Sequence, residues 1–86
     1  MIKYVYGSKN KLSGNFNMPI LQDFPKDAAV EAYAISVKEN PTEQVKELEI
    51  YYLGTFDTKT GKFEQSEMEY ILDCGSVLSD GKGEGN

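Results

Sequence analysis

Residues 49–63 of this 86-residue chain, EIYYLGTFDTKTGKF, constrain the fold more than any other stretch. Leu48, Ile50 and Tyr52 share one face of a period-2 pattern, and Glu49, Tyr51 and Leu53 share the other. Tyr, Ile, Thr and Phe suit a pleated, half-buried surface. Asp57 can bond the backbone two residues on, and Gly61 can take the left-handed conformation that closes a four- or five-residue hairpin loop. Lys62 and Phe63 then begin a return strand. The stretch carries no catalytic signature, so it speaks to fold before chemistry.

The flanking sequence supplies the other elements. Ile2 to Tyr6 alternates and reads as a first strand, with Ile2, Tyr4 and Tyr6 on one face and Lys3 and Val5 on the other. Gly7 to Asn15 reads as a turn-rich, long basic loop, and Phe16 to Leu21 as a short second strand that Pro19 places on an edge or ends early. Pro25 suits the first turn of a helix, with Asp27 favourable near its positive end and an alternative N-cap. Val30, Tyr33, Ala34 and Val37 then form one apolar stripe, and Asn40-Pro41 stops the helix. Thr42 to Lys46 connects to the hairpin. For Glu64 to Glu69, Ser66 followed by Glu69 fits a capping box and favours a short helix over an extended edge. The expected fold is α+β: an antiparallel sheet of three to four strands packed on one helix, in the order β-β-α-β-β with a short C-terminal element. Residues 1–78 form the single domain, and the polar, Gly-rich residues 79–86 a mobile tail. A core this small gains from burial within a homodimer.

Composition removes several function classes. The 40% hydrophobic and 12% aromatic content argues for a folded chain. The chain lacks His, the commonest general base and metal ligand, and Arg, the bidentate reader of phosphate and guanine. No nucleophile motif or paired metal ligands occur, so neither an enzyme nor a metal or other cofactor is expected. Asp57-x-Lys59-x-Gly61 lacks the further acids of a calcium loop. No apolar run approaches the ~20 residues that cross a bilayer, and Met1 to Lys11 contains no signal-like apolar region. Cys74 alone gives no disulfide framework and fits a reducing cytosol.

The net charge of −5 is unevenly spread. Residues 1–22 hold Lys3, Lys9 and Lys11 and no acid, a local +3, while the remainder sums to −8. Contact with a polyanion is therefore expected through the N-terminal segment.

Several of these segments together resemble the small non-structural protein of gokushovirus-type microviruses, tailless phages with circular single-stranded DNA. The matching residues are Phe24-Pro25-Lys26-Asp27, Ala28-Ala29 with Tyr33, and Asn40-Pro41. Ile50 to Gly61 follows the family's Leu-Tyr-x-Ile-Gly-x-Phe-Asp-x-x-Thr-Gly, and Cys74 to Leu78 looks like its short end. The resemblance implies a non-enzymatic protein of the infected bacterial cytoplasm, absent from the mature virion, that binds DNA during genome synthesis or packaging. The chain departs from the family where an Arg commonly stands near the helix aromatic; Glu31 stands here.

Sequence-independent binding of single-stranded DNA needs cations for phosphates and aromatic faces for bases. Lys3, Lys9 and Lys11 are the expected phosphate contacts, Tyr4, Tyr6 and Phe16 the stacking platforms, and Asn15, with Asn10 and Asn17, further hydrogen-bonding groups. The alternative is an acidic adaptor. In that reading Glu64, Glu67, Glu69 and Asp73, or the sheet edge, meet a basic phage replication, procapsid or host protein.

Overall fold

The structure, a computed structural model, describes residues 1–84. It contains strands β1 (Ile2–Asn10), β2 (Ile20–Gln22), β3 (Leu48–Asp57) and β4 (Phe63–Asp73), with helices α1 (Lys26–Glu39) and α2 (Cys74–Glu84). A single 3₁₀ turn, Val45–Glu47, leads into β3. The four strands form one antiparallel sheet in the order β2-β1-β3-β4. This is the α+β arrangement that the element order predicts.

The hairpin forms where its turn chemistry places it. Asp57 Oδ1 accepts the Lys59 N–H at 2.9 Å, and the Gly61 N–H donates to the Asp57 carbonyl at 2.8 Å with Gly61 at φ 74°. That backbone bond from Lys59 is the leading cause of the lowered pKa of Asp57. Gly54 is required by close approach: a Cβ there would stand 2.2 Å from the Glu64 carbonyl oxygen.

Both helices cover the same face of the sheet. Tyr6, Ala29, Val37, Ile50, Tyr52, Leu72 and Cys74 are buried between them, and Phe24, Tyr33, Leu48, Ile71, Val77 and Leu78 pack around that centre. Tyr6 is at the middle, with its ring 5.4 Å from Phe24, 5.5 Å from Tyr33 and 5.6 Å from Tyr52. Its hydroxyl donates to the Phe24 carbonyl at 2.9 Å, as a buried phenol must. Burial, followed by the neighbouring tyrosines Tyr33, Tyr52 and Tyr4, pushes its pKa up to about 12.

Several expectations change. Residues 63–73 continue as strand, because β3 supplies a ladder partner that a capping box cannot match. α1 buries Ala29 and Val37, with Tyr33 partly buried against the core; Val30 is 52% exposed. A small residue lets the helix approach the tyrosine layer, so Ala29 takes the contact that Val30 is expected to make. Pro25 is the N-cap of α1 and Asp27 lies in its first turn. The second strand is Ile20–Gln22 alone, with Phe16 joined to Lys9 by an isolated bridge.

At the other end, Asp73 caps α2: its Oδ1 accepts the Gly75 N–H at 2.8 Å and the Ser76 N–H at 3.4 Å. The helix carries the backbone through Glu84, across most of the segment for which the sequence predicts a mobile tail; residues 85 and 86 lie outside the described residues. Among the described residues, no helix is long and apolar enough to cross a membrane.

Candidate nucleic-acid interface

Among the described residues neither helix lies on the opposite face of the sheet, and a row of aromatic rings crosses it. Its geometry starts at the turn after β1. Asn10 Oδ1 accepts the Leu12 and Ser13 N–H groups at 2.9 and 3.0 Å, and Gly14 sits at φ 77°. The expected long basic loop is therefore a tight turn. It sends Phe16 back alongside β1, opposite Lys9.

Gly7 makes the row possible. It stands opposite Tyr51 in the β1–β3 ladder, and Tyr51 stands opposite Tyr70 in the β3–β4 ladder. A Cβ on Gly7 would lie 2.9 Å from Leu53 Cδ1 and 3.3 Å from Phe16 Cδ2, so both side chains close over a residue that has none. The Phe16 and Tyr51 rings meet across β1 at 5.5 Å, and Tyr51 meets Tyr70 at 5.8 Å. Phe16 is 42% and Tyr70 56% exposed. Val5 lies on this face by strand alternation and is buried outside the helix-side core. Further along, Phe56 pairs with Phe63 near the hairpin tip.

The expected contact residues are thereby divided. Phe16, Lys3 and Lys9 lie on the open face by ladder position and alternation. Tyr6 is 1% exposed in the core and cannot stack on a base, and Tyr4 packs against the same core. Both leave the candidate site for one reason: the helices cover the face that residues 2, 4 and 6 share. Lys11 reaches across the end of β3 to Asp73, with Nζ 2.9 and 3.1 Å from the two carboxylate oxygens. Asn15 closes the turn through its backbone: its carbonyl accepts the Asn10 N–H at 2.8 Å, and its N–H donates to Ser13 Oγ. Tyr51 and Tyr70 are the open-face aromatics that sequence reasoning misses. The signal for Tyr51 is present, since the period-2 pattern sets it opposite the Ile50 and Tyr52 face. Tyr70 is hidden by the helical reading of its segment.

Charge on this side is close to balanced. Lys3 pairs with Asp23, Lys11 with Asp73, and Lys9 stands opposite Glu49 in the ladder. Among the described residues Lys9 makes no ion pair. The hydroxyl of Tyr51 donates to Glu49 Oε1 at 3.2 Å, and partial burial followed by that bond raises its pKa. Burial acts to raise Asp73, but the bonds from Lys11, Gly75 and Ser76 outweigh it and hold the carboxyl below its usual range. The bond to Asp73 in turn raises Lys11. Among the described residues, no group of three or more His, Cys, Asp and Glu is placed to hold a metal ion.

Comparison with protein-family models, curated proteins and solved structures finds no match to the chain.

Proposed function

We propose that the open sheet face binds single-stranded DNA without sequence preference, with bases stacking on Phe16, Tyr51 and Tyr70 and phosphates meeting Lys9 and Lys3. The observation that carries this reading is the aromatic row on the sheet face that neither helix covers among the described residues. Bases stack on aromatic faces whatever their identity, and duplex DNA keeps its bases stacked on each other. The resemblance to the microvirus protein supports the wider role. In that role the protein is non-enzymatic, acts in the bacterial cytoplasm on single-stranded genomes during replication or packaging, and stays out of the virion.

Few cations serve the site, so binding is modest and salt-sensitive. Two or three phosphate contacts on a single strand give a loss of about tenfold in affinity between ~50 and ~200 mM salt. A fluorescence anisotropy titration with labelled single-stranded and duplex oligonucleotides at those two salt levels tests the reading. Single-strand binding that weakens by about this factor, with little duplex binding, supports it. No single-strand binding at low salt by the folded protein refutes it.

A further inference from the structure

The β4 strand ends the sheet, and its outer edge has no ladder partner among the described residues. Every residue from Phe63 to Tyr70 is exposed. An open strand edge presents unpaired N–H and C=O groups to any extended chain that can reach it. β4 carries Glu64, Glu67, Glu69 and Asp73 and no cation. Antiparallel pairing with a second copy would set these carboxylates against one another, which disfavours it. The same charges favour a strand of opposite sign. Lys26 lies 2.7 Å from Glu69 and Lys62 lies 4.0 Å from Glu64, but these are exposed pairs that an incoming cation can replace at little cost. Glu67 makes no ion pair among the described residues. Phe63 and Met68, about half exposed, add apolar contacts along the edge.

We propose that the β4 edge receives an extended basic segment of a partner protein, with lysine or arginine alternating with apolar residues, as a fifth strand. Backbone bonds supply the attachment and the glutamates select the charge. The surface is the edge of the sheet and does not depend on base stacking over its face.

The probe is a labelled peptide of about eight residues alternating lysine and valine, long enough for a typical strand. Its control carries the same side chains with alternate backbone amides N-methylated, so charge is kept and the ladder is lost. The expected result is binding of the unmodified peptide that falls at least about tenfold on N-methylation, and about as much in the combined Glu64→Gln, Glu67→Gln, Glu69→Gln variant. Amide exchange gives a readout independent of that variant: the peptide should slow exchange in β4 and leave β1 unchanged. Equal binding of the N-methylated peptide would mean attraction by charge alone and overturns strand addition, as does no binding of the unmodified peptide. Slowed β4 exchange on concentrating the protein alone would mean that a second copy holds the edge, and also overturns it.

Discussion

At the scale of single residues, one side chain or its absence decides the packing at several points. Tyr6→Ala should cost ~3–5 kcal/mol, as loss of a buried aromatic does. Tyr6→Phe should cost ~1 kcal/mol for the bond to the Phe24 carbonyl; urea denaturation of both checks the difference. Because the folded protein holds Tyr6 protonated to about 12, its contribution is complete below the unfolded value of about 10. Stability should then fall as the pH rises from there, and Tyr6→Phe should lessen that fall. Asp73 has the opposite sign. Its lowered pKa gives stability that is full above about pH 4 and is lost as the pH drops through the folded value. Asp73→Ala should remove that acid dependence and cost ~1 kcal/mol as a lost helix cap, seen in thermal melts across the acid range. Gly54→Ala should cost ~2–4 kcal/mol, since the new methyl meets the Glu64 carbonyl and the backbone sits at φ 155°. A melt within a degree or two of the parent would show that the β3–β4 contact relaxes freely.

At the scale of elements, what could be read in advance was what local chemistry fixes. The turn at Asp57 to Gly61, the Asn40-Pro41 stop and the edge position of the strand after Pro19 all follow from backbone preferences of the residues present. Partner-dependent choices were not legible. Glu64 to Glu69 carries a helical start signal, yet β3 recruits it as strand, with Ser66, Glu67 and Met68 standing opposite Leu53 alone. α1 turns to present Ala29 because the aromatic layer beneath it needs a small residue, which no periodicity within the helix reveals. The candidate site divides the same way. The sequence marks Phe16 and Lys9 as aromatic and cation, but it does not place Tyr4 and Tyr6, because alternation tells which residues share a face and not which face the helix covers.

At the scale of the whole molecule, an acidic protein is proposed to hold a polyanion, so the placement of charge matters more than its sum. Asp23, Asp73 and Glu49 each stand by a lysine, while Asp27, Glu31 and Glu39 belong to α1. The local balance leaves room for stacking to supply most of the affinity. Phe16→Ala and Tyr51→Ala should each weaken single-strand binding by ~5- to 150-fold, the equivalent of ~1–3 kcal/mol per stacked base. Base stacking on the open face is best tested by an NMR titration of the aromatic side chains with a short single-stranded oligonucleotide. The ring signals of Phe16, Tyr51 and Tyr70 should shift together while those of Tyr6, Tyr33 and Tyr52 stay in place. Shifts confined to the helix-side rings, or none on the open face at saturating oligonucleotide, would contradict it.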